Sequence, residues 1–220
     1  MKILGIETAT RFASVAFIDE TRLVAEYRIA LGMRHAERLL PLIDSMLREA
    51  HVSLSDLHAI AVSIGPGSFT GLRVGLATAK GLAIGCGLPL VPVPTLEAMA
   101  LPFCHSKTVI VPVITARKDA VYWAIFSPEG VRLHPDSVSS VEKMLEIINQ
   151  ESVLFFGEGA LLYQDKIVKD FTGISCFPPI GLQSPLASSV AQLGLTRLIN
   201  KDAASAEDIV PVYLHTLSPK

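Results

Sequence analysis

Gly65-Pro66-Gly67-Ser68-Phe69-Thr70-Gly71-Leu72-Arg73-Val74-Gly75 decides how this chain folds. A mainly apolar run at 59–64 precedes it and small or apolar residues follow it up to Gly87, so it reads as a glycine turn leading from a buried strand into a long helix. Such a turn places backbone N–H groups at a helix N-terminus, where an anion is welcome. It is neither of the common phosphate motifs. No Lys-Ser/Thr pair follows the second glycine at P-loop spacing, and the third glycine comes one residue late for a dinucleotide fingerprint.

The helix that follows carries Gly71, Gly75, Ala77, Ala79, Gly81, Ala83, Gly85 and Gly87 among Leu72, Val74, Leu76 and Leu82. Each glycine costs on the order of 1 kcal/mol of helix propensity relative to alanine, so close approach of another backbone is the natural compensation. One face is expected against the chain's own sheet or helix, the other against a second protein.

Working outward, residues 2–8, 13–19 and 23–30 read as three short strands with polar turns between them. From 35 to 50 the period becomes helical: Leu39, Leu40, Ile43, Met46 and Leu47 recur, with Glu37, Arg38, Asp44, Arg48 and Glu49 on the other side and Pro41 near the start or at a kink. Residues 53–56 form a short turn, 90–93 a strand, and 95–101 a helix with Thr95 as N-cap and Glu97 in its first turn.

Around Cys104-His105-Ser106-Lys107 the pattern restarts, with strands at 109–115, 120–127 and 130–134, a helix at 141–149, a strand at 153–156, and helices at 160–170 and 186–200. The order βββαβα thus occurs twice without a visible sequence repeat, which predicts an α/β protein with a mixed sheet and flanking helices in each half, divided as 1–104 and 105–220. A polar helix is expected near 204–209. The apolar end, Pro211-Val212-Tyr213-Leu214, is expected to pack back on the body, on the first half.

Composition narrows the function classes. Apolar residues are 50% and charged residues 18% of 220, enough for a sizeable core. A net charge of −2 and a pI near 6.3 argue against a surface devoted to holding a phosphate backbone. Cys86, Cys104 and Cys176 are odd in number and too far apart for a zinc ribbon or disulfide framework, and read as reduced thiols. Glu7 interrupts the first apolar run too early for an export signal, and the uncharged stretch 81–96 holds three prolines and is too short to span a membrane, so a soluble cytoplasmic protein is expected.

Residues 65–81, together with Leu4-Gly5-Ile6-Glu7-Thr8-Ala9-Thr10, Ala13-Ser14-Val15-Ala16-Phe17 and His35-Ala36-Glu37-Arg38-Leu39-Leu40-Pro41-Leu42-Ile43-Asp44, resemble the TsaB family, formerly YeaZ. The match is strong over roughly the first hundred residues and looser beyond. The resemblance implies the two-lobed, actin-like (ribonuclease H-like) fold shared by acetate and sugar kinases, heat-shock chaperones and actin, each lobe a mixed five-stranded sheet flanked by helices. It also implies a heterodimer with the catalytic paralogue TsaD, which with the ATPase TsaE transfers a threonylcarbamoyl group onto the adenosine beside the anticodon of tRNA. The implied role is structural and activating, with tRNA reached only through the complex and a homodimer formed when the chain is alone.

The pairing face is expected on His35, Arg38, Leu39, Leu42 and Met46 of the first helix and on Gly71, Arg73, Val74, Gly75, Ala77, Thr78 and Gly81 of the second. Taken singly, His35 reads as a solvated helix-terminal histidine, and Tyr122 and Trp123 read as core rather than as a base-stacking platform. No catalytic residue, metal or cofactor is expected. His35, His51, His58, His105, His134 and His215 include no pair three or four apart, which speaks against a metallopeptidase. No Gly-x-Ser-x-Gly elbow occurs.

The alternative is a stand-alone actin-fold ATPase or kinase, which would need carboxylates at the ends of the first strand of each lobe to hold Mg²⁺. In the first lobe the family more often has Asp where this chain has Glu7, and in the second Thr115 and Ala120 stand where relatives carry acids. Vestigial nucleotide contact is expected to involve Glu7, Thr8 and Thr10 and the glycines of Gly157-Glu158-Gly159-Ala160, namely Gly157 and Gly159.

Overall fold

The computed structural model describes residues 1–20, 22–32, 34–117, 119–202 and 207–214. Along the chain run β1 (Lys2–Glu7), β2 (Phe12–Asp19), β3 (Arg22–Ala30), α1 (His35–Glu49), a 3-10 turn at Leu54–Asp56, β4 (Ala59–Ser63), α2 (Phe69–Cys86), β5 (Leu90–Val93) and α3 (Thr95–Ala100). Then follow β6 (Val109–Thr115), β7 (Ala120–Phe126), β8 (Arg132–Ser140), α4 (Val141–Ile147), β9 (Ser152–Phe156), α5 (Glu158–Leu162), α6 (Gln164–Asp170), β10 (Ile174–Cys176) and α7 (Ala187–Ile199).

The chain forms two compact units, one of Met1–Ala98 with Pro185–Val212, the other of Met99–Ser184 with Tyr213 and Leu214. The expected division at 104/105 is therefore corrected on two counts. The break falls at Ala98, and α7 with the segment after it returns to the first unit.

In the first unit the sheet order is β3-β2-β1-β4-β5, with β1, β2 and β3 antiparallel and β1, β4 and β5 parallel. Strand alternation sends Leu4, Ile6, Val15 and Phe17 to one face, where Leu39, Ile43 and Met46 of α1 and Leu76, Ala79 and Ala83 of α2 cover them. Ile3, Ala59, Ala61, Val91 and Val93 point to the other face, under Val190 and Ala191 of α7. That helix lies close because small residues meet: a Cβ on Gly5 would collide with the Ala187 carbonyl, and one on Gly194 with the Ala61 side chain.

The segment after α7 stays on this unit. Ile209 is buried in the α1/α2 core, and the Val212 N–H donates to the Ile64 carbonyl at 2.7 Å. Of the helix expected near 204–209, the first three residues lie outside the described ones; Glu207 and Asp208 form a turn and Ile209 is not helical.

The second unit repeats the plan with order β10-β9-β6-β7-β8. Val111, Val113, Val121, Trp123 and Phe155 pack against Val141, Met144 and Leu145 of α4, Ala160 of α5 and Ile167 of α6. Trp123 is fully buried and its indole N–H donates to Ser139 Oγ at 2.9 Å.

Three local expectations change here. The helix read over 160–170 breaks at Tyr163, whose ring packs on the core. β8 runs on to Ser140 despite Pro135, because the register shifts between Trp123 and Ile125 and the strand is at the sheet edge, where a missing N–H is tolerated. β10, three residues long, was not foreseen. Thr95 also differs: it is the first residue of α3, and its hydroxyl accepts from the Gly65 N–H at 3.1 Å, tying α3 to the glycine turn.

Candidate functional site

The helices α1 and α2 pack side by side on the first sheet, and their outer surfaces form the candidate site. In α1 the helical period turns Leu39, Ile43, Met46 and Leu47 inward and leaves Arg38, Leu40, Pro41 and Asp44 outside. Pro41 lies inside the helix on this exposed side. In α2, capped by Ser68 Oγ on the Gly71 N–H and ended by left-handed Gly87, the inward residues are Leu72, Leu76, Ala79 and Ala83. Arg73, Ala77, Gly81 and Ile84 follow one another at steps of three or four on the outside.

The helix glycines divide between the two sides. A Cβ on Gly71 would collide with the Thr8 carbonyl oxygen and one on Gly75 with the Thr8 hydroxyl, which itself donates to the Gly71 carbonyl at 2.9 Å. These two let α2 sit directly on the loop after β1. Gly81 and Gly85 have open space where a Cβ would be. The later turns of α2 therefore present bare backbone, flanked by Ala77 and by Ile84 at 65% exposure.

Five of the expected pairing residues are corrected to interior positions: His35, Leu39, Met46, Gly71 and Gly75 are buried. His35 is not a solvated histidine, since its Nε2 lies 3.2 Å from the Phe12 carbonyl oxygen within the unit. Arg38, Arg73, Ala77 and Gly81 are exposed, and Leu42, Val74 and Thr78 are half-buried at the edges. The Arg73 guanidinium lies 3.8 Å from the centre of the Phe69 ring. Leu40, read from the sequence as part of the apolar stripe of α1, is instead exposed, and with Ile84 and Phe69 it puts large apolar side chains on the outer surface. Beside Leu40 a groove of about 770 Å³ opens between Asp44, Leu82, Val52 and Leu54.

The residues considered for nucleotide contact are brought together differently. Glu7, Thr8 and Thr10 are buried in the first unit. Burial pushes the Glu7 carboxyl up to about 7, with the Ala9 N–H bonded to Oε1 pulling the other way. The nearby Ser63 hydroxyl also pulls the carboxyl down, although neither it nor Glu7 Oε2 forms a hydrogen bond of ordinary geometry among the described residues. A carboxyl sealed in this way lies apart from the water that Mg²⁺ keeps in its coordination shell. Thr8 is committed to Gly71, and Thr10 Oγ1 accepts from the Phe12 N–H at 3.3 Å.

In the second unit the Gly157 N–H donates to Gln183 Oε1 at 2.8 Å, and a Cβ on Gly157 would collide with the Val113 carbonyl. A Cβ on Gly159 would press on the Val113 side chain. Both glycines serve close packing of α5 on β6. The reading at Thr115 missed Glu158, whose carboxylate accepts from the Thr115 hydroxyl at 2.6 Å. The signal was an acid directly after a strand at a helix start. No group of three His, Cys, Asp or Glu side chains is placed to hold a metal among the described residues, and no helix there is long and apolar enough to cross a membrane.

Comparison with known proteins adds to this geometry. A family model described as TsaD, tRNA N6-adenosine threonylcarbamoyltransferase, matches residues 30–212. The chain is 32% identical over 220 residues to the tRNA threonylcarbamoyladenosine biosynthesis protein TsaB of Bacillus subtilis, covering 97% of this chain and 94% of that one. YeaZ from Pseudomonas aeruginosa superposes with a TM-score of 0.82 at 26% identity, covering 97% of this chain and 99% of that one. A ROK hexokinase from Thermus thermophilus, at TM-score 0.55 and 12% identity over 91% of this chain and 100% of that one, shares the fold alone. The two five-stranded units are thus the actin-like fold expected from the sequence.

Proposed function

Because the chain belongs to the TsaB (YeaZ) family, we propose that it is a non-catalytic subunit that pairs with TsaD and activates threonylcarbamoyl transfer to the adenosine beside the anticodon of tRNA. The observation that carries this reading is the outer face of α2, where Ala77, Gly81 and Gly85 leave backbone bare beside exposed Ile84 and, on α1, Leu40. Bare glycine costs helix stability unless a second backbone comes close enough to recover it in contacts. Large apolar side chains next to it are what a pairing surface needs at its centre.

Thr8, held by Gly71, and Gly157 and Gly159, used in packing on β6, support a subunit without hydrolytic chemistry of its own. TsaE is a further member of the assembly, which works in the cytoplasm. In the absence of TsaD the same face joins two copies of this chain, since a two-fold axis lets one surface serve both partners.

Ala77→Trp tests the reading. Co-expressed with TsaD, the variant is expected to elute apart from it in size-exclusion chromatography with light scattering, while its circular dichroism matches the parent. Co-elution as stable as the parent's would place the interface elsewhere. Brisk Mg²⁺-dependent ATP hydrolysis by the purified chain alone would overturn the non-catalytic part.

A further inference from the structure

One corner of the first unit gathers three exposed arginines. The Arg11 carbonyl accepts the N–H groups of Leu31 and Gly32, and the Leu31 carbonyl accepts the Arg34 N–H, so Arg11 and Arg34 bracket one buried leucine. Arg38 stands one helical turn beyond Arg34. All three are exposed, and none makes an ion pair among the described residues. The Arg11 guanidinium lies 5.5 Å from the centre of the neighbouring Phe12 ring.

Glu37 stands beside Arg38 and one turn from Arg34, and it makes no ion pair with either among the described residues. Along the β2–β3 hairpin, Asp19 pairs with Arg22 at one end while Phe12 pairs with Ala30 at the other, which puts Asp19 and Glu20 a full strand length away from Arg11. Glu26 is occupied by Ser188. The net charge of −2 therefore conceals a local cationic edge.

We propose that Arg11, Arg34 and Arg38 contact the phosphate backbone of the tRNA on which the assembly acts, an inference that rests on the tRNA-modification reading above. Three exposed guanidinium groups on one corner match a polyanion by charge and by the fork geometry of their donors. Protein–RNA contacts of this kind rely on spaced, fork-shaped cations and release counterions, which makes them strongly salt-dependent. Arg11 and Arg34 lie off the α1/α2 pairing face, and Arg38 stands at its rim.

The test titrates a fluorescent tRNA transcript with the whole chain and with its double variant Arg11→Gln/Arg34→Gln, from low to physiological salt. Each lost phosphate contact lowers the slope of log K against log salt by roughly 0.7–0.9, so the double variant's slope is expected to be shallower by about 1.4–1.8. The change should be the same for an unrelated RNA hairpin, since phosphates carry no sequence. Equal slopes, no measurable RNA binding at low salt, or binding of a polyglutamate peptide in place of RNA would each overturn the proposal. Co-elution of the double variant with TsaD is expected to be unchanged. Failure of the parent to pair with TsaD would count against the functional reading and leave the RNA result to be judged by itself.

Discussion

The Glu26 carboxylate on β3 accepts both the backbone N–H and the hydroxyl of Ser188 at the start of α7, each at 3.0 Å. Ser14 of β2 joins it by accepting the Ala187 N–H at 3.2 Å. The helix has no cap from its own sequence, since Leu186 occupies the N-cap position, so two strands cap it from across the sheet. Chain that has passed through the second unit is thereby fixed back onto the first.

Glu26→Ala should therefore loosen α7 rather than simply remove a surface charge. Losing the charged acceptor leaves donors at the helix start without a partner, a change of about 1–3 kcal/mol. Urea denaturation is expected to show a lower midpoint, and amide exchange in 187–191 to speed up before the rest of the unit. Unchanged exchange in that segment would show that Gly5 and Gly194 packing holds α7 unaided.

Gly75 and Gly81 should respond oppositely to the same substitution. Gly75→Ala drives a methyl into the Thr8 hydroxyl and disrupts its bond to the Gly71 carbonyl, with an expected loss of about 1–3 kcal/mol. Gly81→Ala enters open space in the single chain and raises helix propensity, so the protein, diluted until it is monomeric, should gain up to about 1 kcal/mol. Thermal melts of both variants check the pair. Equal destabilisation would mean that the outer side of α2 is packed in solution by something other than solvent.

Those two glycines show where sequence alone stops. The strand order, the glycine turn and the two-unit plan follow from period-2 and period-3.6 patterns that survive in short windows. In α2, however, small residues occupy every side of the helix, so apolar spacing does not fix which glycines face Thr8 and which face outward. Leu39 and Leu40 are adjacent and equally apolar, yet only the first is buried. The destination of α7 was equally hidden, because an amphipathic helix does not state which sheet it covers. Glu158 escaped notice because the search for an acid in the second unit followed β6, whereas the carboxylate reaches Thr115 from α5.

Glu7 gives the fold a pH dependence whose sign can be worked out. Its carboxyl titrates near 7 in the folded protein against 4.5 for the ordinary group. Between those values the folded chain holds a proton that the unfolded chain has released, so this contribution is full below pH 4.5 and is lost as pH rises to about 7. At 1.36 kcal/mol per pKa unit the difference is on the order of 3 kcal/mol. Glu7→Gln, which cannot ionise, should flatten the fall in stability between pH 5 and pH 8 by about that amount. Parallel pH profiles for variant and parent, measured by urea denaturation, would refute the assignment.

Ile84 offers the most direct view of the pairing face because it is 65% exposed and lies next to Gly81 and Gly85. In a two-fold dimer each substitution occurs twice, so Ile84→Glu would put a charge on both copies of an apolar surface without disturbing either core. Self-association should weaken at least tenfold, about 1.4 kcal/mol, in sedimentation equilibrium at micromolar concentration. Leu162→Glu supplies the control, since Leu162 is equally exposed at 66% but belongs to α5 of the second unit. A parent that is monomeric throughout, or a control that dissociates as readily as Ile84→Glu, would remove the α2 face from the account of how this chain meets its partners.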